Sequence, residues 1–79
     1  MYNNIIMKND IQQKVFETLQ NYTKTKITLN SEIKDLNIDS LDLVQIVVEL
    51  ESIFNISVSD EELLNISKVI DIIEIIKKY

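Results

Sequence analysis

The chain contains no cysteine, no histidine, no glycine, no proline and no tryptophan. Without cysteine there is no disulfide, no thiolate metal site and no cysteine nucleophile. Any thiol chemistry must come from an attached group. Without histidine the usual general base is missing, and only carboxylates, lysines and tyrosines remain for proton transfer. That argues against a self-sufficient enzyme. Without glycine or proline, every turn relies on Asn, Asp, Ser or Thr, which tolerate left-handed backbone or bond it locally. The N-terminus lacks the basic start and long apolar run of a signal peptide. No apolar run approaches the length of a membrane span. A cytoplasmic chain is expected, although redox compartment is unconstrained.

Seventy-nine residues are enough for one domain with one modest core. The net charge of −5 is unevenly spread. From Asp35 to Ser67 there are eight acids (Asp35, Asp39, Asp42, Glu49, Glu51, Asp60, Glu61, Glu62) and no base. The remainder holds five acids and all eight lysines. Such a field disfavours nucleic acid and favours basic protein surfaces, with faster encounter at low salt. Taken alone, a charge run is more often just a solvated face.

Residues 1–8 show no pattern and read as a flexible lead, and residues 9–79 as the domain. A first helix is expected from about Asn9, with an Asn9–Gln12 capping box and Ile11, Val15, Leu19 and Tyr22 on one face. Asp10 near its start suits the helix dipole. The connection from Thr23 to Ile38 is long, and loops of this length are usually functional or disordered. Leu29, Ile33 and Leu36 are expected to anchor it, with a single helical turn at Ser31–Lys34. A short helix should follow Ser59, which forms a capping box with Glu62, and end near Asn65. Ser67 should cap a last helix, roughly Lys68 to Lys78, with Val69, Ile72, Ile73 and Ile76 buried. The fold class is all-α: a small four-helix bundle, three helices longer and one short, with a long ordered loop between the first and second.

The second helix, about Ser40 to Phe54, is the most informative. Leu43, Ile46, Val47, Leu50 and Phe54 form its core face. Asp42, Gln45, Glu49 and Ser52 lie opposite. A third stripe, Leu41, Val44 and Val48, runs beside the polar face. It either packs on a neighbouring helix or makes a small docking surface rimmed by acids. Asp39-Ser40 at the helix start has an ordinary explanation too, because Asp and Ser are preferred caps.

The stretch Leu36-Asn37-Ile38-Asp39-Ser40-Leu41-Asp42, the helix through Glu51, and Phe54 to Glu62 together resemble the acyl carrier protein family. The likeness covers most of the chain from about Asn9. It implies that Ser40 is the attachment point of 4′-phosphopantetheine and that Asp39 helps orient the site. It also implies that Leu41, Asp42, Val44, Gln45, Val48 and Glu49 belong to the docking face. The implied partners are a phosphopantetheinyl transferase and acyl-transferring or fatty-acid-synthesis enzymes with basic surfaces. The carrier, expected to be a monomer, would catalyse nothing itself and hold no metal. The aliphatic interior (Val47, Leu50, Ile66, Ile72, Ile73) suggests shelter for an acyl chain.

Asn37 stands where the family usually has glycine, and Ser59 where it usually has proline. Gln45 and Ile53 replace frequent acids, and Ile33 an aromatic. These departures leave open a carrier for a polyketide, peptide or aminoacyl pathway. An unmodified acidic helical interaction module is the other alternative. A calcium loop starting at Asp35, Asn37 and Asp39 fails, because Ser40 replaces its glycine and Ile46 its bidentate glutamate.

Overall fold

The computed structural model describes residues 8–79, with side chains from Asp10 onward. Four α-helices follow in order: α1 (Lys8–Gln20), α2 (Ser40–Phe54), α3 (Asp60–Leu64) and α4 (Val69–Lys78). A 3-10 turn, Ile33–Leu36, lies between α1 and α2. With 13, 15 and 10 residues in α1, α2 and α4 and five in α3, the arrangement is the expected all-α bundle.

α1 points Val15 and Leu19 into the core, with Ile11 and Tyr22 half-buried against it. Asn9 falls inside the first turn rather than before it, and its side chain lies outside the described residues, as does the lead up to residue 7. The middle of α2 supplies Ile46, Val47 and Leu50. Leu43 and Phe54 pack half-buried at either end of that face. α4 buries Val69, Ile72, Ile73 and Ile76, spaced as an amphipathic helix requires. Burial of each such side chain contributes about 1.5–3 kcal/mol relative to exposure. α3 buries nothing.

The long connection is ordered, and the main reason is backbone pairing. α4 begins with N–H groups that have no intrahelical partner. The loop supplies acceptors: Val69 donates to the Ser31 carbonyl at 3.0 Å and Ile70 to that of Leu29 at 3.0 Å. In return Ile33 donates to the Ser67 carbonyl at 2.9 Å. Ile27, Ile33, Leu36 and Ile38 then bury their side chains. Leu29 does not anchor the loop through its side chain, which is exposed; its carbonyl does the holding. The expected turn at Ser31–Lys34 forms two residues later, because Ser31 is spent on bonds to Thr28 and on α4.

Two asparagines do what glycine does elsewhere. Asn37 ends the 3-10 turn at φ 60° and Asn55 ends α2 at φ 57°. After Asn55, Ile56 donates back to the Glu51 carbonyl at 3.0 Å and packs against the core, the Schellman closure of a helix. Val58 donates to the Glu51 carboxylate at 2.7 Å, which ties the segment before α3 to α2.

Ser67 does not cap α4 as expected. The residue before the helix is Lys68, and the acceptor is Asp71, which takes N–H donors from Ser67 and Lys68 at 2.9 Å each and the Ser67 hydroxyl at 3.1 Å. Burial alone would raise the Asp71 carboxyl, but these hydrogen bonds together hold it below its ordinary range. No helix among the described residues is long and apolar enough to cross a membrane.

Candidate functional site

The 3-10 turn, Asn37 and buried Ile38 deliver the chain to the start of α2 in a fixed direction. Asp39 is the cap, in extended backbone, and its carboxylate accepts from the Asp42 N–H at 2.9 Å. Ser40 is therefore the first helical residue, and it is exposed. Among the described residues no group is hydrogen-bonded to the Ser40 hydroxyl. The cap duty falls wholly on the acid, which leaves the serine oxygen accessible at the positive end of a 15-residue helix.

An open groove of about 340 Å³ runs beside Ser40. Ile33, Ile38, Leu43 and Ile66 form its apolar walls, and Glu32, Lys34, Asp39 and Ser67 its polar rim. The exposed hydroxyl, the first turn of a helix and the half-apolar groove fit a serine-linked phosphate with a flexible arm. Four of these lining residues come from the long loop, which the sequence pattern alone did not place beside Ser40.

The third stripe of α2 stays uncovered. Leu41 is 81% exposed, Val44 43% and Val48 48%. Among the described residues no helix packs over them. Gln45 is exposed between them, while Asp42 and Glu49 are half-exposed. The structure brings all six expected docking residues to one side of α2. It also adds a contact that sequence spacing gave no means of finding. The Tyr22 hydroxyl, 27 positions away, donates to the Glu49 carboxylate. This bond, with a smaller push from burial and from the Glu49 and Asp42 charges, raises the Tyr22 phenol above its ordinary value. Tyr22 was expected only as a core residue; it also holds an acid of the exposed face in place. Leu64 on α3, at 84% exposure, is a further uncovered apolar side chain.

Between α2, the α2–α3 segment and α4 lies a small apolar cavity of about 10 Å³. Val47, Leu50, Ile66 and Ile72 line it as expected, joined by Ile56, Val58, Ile75 and Ile76. Ile73 does not line it and belongs to the main core instead.

The family described as Phosphopantetheine attachment site matches residues 13–76, a span that includes Ser40 and the whole of α2, α3 and the groove. An acyl carrier protein homolog from Mycoplasmopsis pulmonis is 50% identical over 68 residues, covering 86% of this chain and 93% of that one. An acyl carrier protein from Coprothermobacter proteolyticus is 36% identical over 74 residues, covering 84% and 90%. The crystal structure of an acyl carrier protein from Thermotoga maritima superposes with a TM-score of 0.78 at 27% identity, over 90% of this chain and 87% of the other. A mitochondrial acyl carrier protein of Toxoplasma has a TM-score of 0.80 at 24% identity, covering 89% and 88%, and supports the fold.

Proposed function

The chain belongs to the acyl carrier proteins, whose prosthetic group is 4′-phosphopantetheine, and we propose that Ser40 is the residue that carries it. The observation that supports this is the exposed Ser40, whose hydroxyl has no hydrogen bond among the described residues because Asp39 alone caps the helix. A phosphodiester to serine needs an oxygen that a transferase can reach. Ser40 offers one at a helix start, where N–H groups and the dipole favour the resulting negative phosphate. Asp39 fixes the first turn and so orients the serine. It does not activate the hydroxyl, because serine requires a true base or a metal, which the transferase must bring.

Once attached, the group supplies a terminal thiol that holds an acyl cargo as a thioester. This gives a chain without cysteine its thiol chemistry. The protein's own work is delivery: it raises the effective concentration of the cargo at each partner's active site. The partners are the modifying transferase and the acyl-transferring enzymes of fatty acid biosynthesis. Docking runs along Leu41, Val44 and Val48, whose exposure supports an apolar contact, with Asp42 and Glu49 meeting basic residues and Gln45 between them. The carrier catalyses no step and acts as a cytoplasmic monomer, with residues 9–79 as the functional domain.

The test is the intact mass before and after incubation with coenzyme A, magnesium and a broad-specificity phosphopantetheinyl transferase. The expected result is a gain of one arm by the unmodified protein and none by Ser40→Ala. No gain from folded, unmodified protein would leave an acidic interaction module whose Ser40 only begins a helix.

A further inference from the structure

α3 is the least anchored element of the fold. None of its five residues is fully buried. A helix this short has no independent stability. Yet the residues that flank it, Ile56 and Val58 before and Ile66 after, form one wall of the small apolar cavity. Ile72 and Ile76 of α4 form part of the other. Something must hold the α3 wall against the α4 wall.

Glu62 does this. One carboxylate oxygen accepts the Tyr79 hydroxyl at 2.6 Å, and the other meets the Lys78 ammonium at 2.6 Å. The same carboxylate completes the capping box with Ser59, at 3.4 Å to its N–H and 3.4 Å to its hydroxyl. Glu62 therefore belongs to two structures at once. Its bonds to Ser59 are internal to α3, and its bonds to Lys78 and Tyr79 cross to the end of α4. The Glu62 side chain is only 19% exposed, although Lys78 is 62% exposed. Both crossing contacts are charge-assisted, the stronger kind of hydrogen bond.

We propose that Glu62, Lys78 and Tyr79 form a latch that holds α3 against the end of α4 and sets how readily the wall of the apolar cavity opens. The cavity of about 10 Å³ has room for about one water and none for a chain of methylenes. Widening it requires α3 to move away from α4. That motion breaks the two crossing contacts, and because a helix of five residues does not persist alone, the α3 amides open to solvent as it leaves. The identity of what enters, an apolar acyl tail, rests on the carrier reading. The latch itself does not.

The experiment is amide hydrogen exchange on the full, unmodified chain, wild type against Lys78→Met/Tyr79→Phe. Exchange at Leu63, Leu64 and Ile66 should accelerate roughly fivefold to tenfold, while Val15, Leu19, Ile46 and Leu50 keep their rates. Glu62→Gln keeps an acceptor for Tyr79 and Ser59 but loses the ion pair, and should accelerate the same amides about twofold to threefold. Unchanged exchange around α3, or equal acceleration throughout the chain, would overturn the latch. A second arm uses protein loaded with an eight-carbon acyl group. If the protein cannot be loaded, the carrier reading fails, and the exchange data still decide the latch. If it loads, the latch requires a larger acyl-induced gain in Tm in the double variant than in wild type. An equal or smaller gain would contradict it.

Discussion

The starts of α2 and α3 use the same two residue types in opposite order. At α2 the order is acid then serine, Asp39-Ser40; at α3 it is serine then acid, Ser59-Asp60. The residue before a helix takes the cap position whichever it is. At α2 the acid takes it, and the exposed serine keeps a hydroxyl with no hydrogen bond among the described residues. At α3 the serine takes it, and its hydroxyl accepts from the Glu62 N–H at 3.1 Å. One hydroxyl is available for chemistry and the other is committed to structure. The order of two residues, rather than their presence, separates a modifiable serine from a structural one.

The largest effect should come from exchanging that order at α2. In Asp39→Ser/Ser40→Asp the new serine caps the helix, so stability should stay within about 0.5 kcal/mol of wild type. Modification by the transferase should nevertheless be lost, as read by intact mass. Retained modification at position 39 would show that cap duty does not protect a serine.

Next in size is the charge of the α2 face. Asp42→Lys should slow reaction with a basic partner roughly tenfold at low salt, with the deficit shrinking at high salt. Stopped-flow kinetics across ionic strength measures this. Glu49→Lys adds the loss of the Tyr22 bond, so it should lower stability as well as rate. A similar loss of rate at every ionic strength would mean that these acids act through structure alone.

Smaller still is the cap at α3. Ser59→Ala should leave modification unchanged and cost about 1 kcal/mol of local stability. The loss should appear as faster exchange at Leu63 and Leu64 rather than as a large fall in Tm, since α3 buries nothing.

The mildest effect is acid titration of the Glu62 carboxyl. Hydrogen bonds from Lys78 and then Tyr79 lower it from an ordinary 4.5 to about 2. A depressed carboxyl stabilises the fold above its unfolded value and loses that contribution as pH falls from about 4.5 through about 2. Lys78 and Tyr79 are both raised by the same contact, so their contributions hold at neutral pH and fade only as pH rises past 10. Signals from α3 should therefore lose protection between pH 4.5 and 2 in wild type and show no such step in Glu62→Gln.

Much of this was legible in the sequence, for local reasons. The α2 core face, the Ser59–Glu62 box, the left-handed Asn37 and the Asp39 cap all depend on neighbours within four residues. The docking stripe was visible as a pattern, but only the fold could show that none of the described residues covers Leu41, Val44 and Val48. What stayed hidden was non-local. The bonds from Val69 and Ile70 to the long loop use backbone carbonyls, which leave no side-chain signature. The Tyr22–Glu49 and Tyr79–Glu62 pairs join residues 27 and 17 positions apart, beyond any helical period. The cap of α4 was misplaced because Asp71 reaches back from inside the helix to do what Ser67 was expected to do.

The central claim is that one serine, set apart by an uncommitted hydroxyl at the start of α2, receives the arm. The chain offers six candidates: Ser31, Ser40, Ser52, Ser57, Ser59 and Ser67. Fragment mass spectrometry of the transferase-modified protein assigns the added mass to one of them. The account predicts the whole of the gain on Ser40 and none on the cap serine Ser59. Gain on Ser59, Ser67 or any serine other than Ser40 would contradict it.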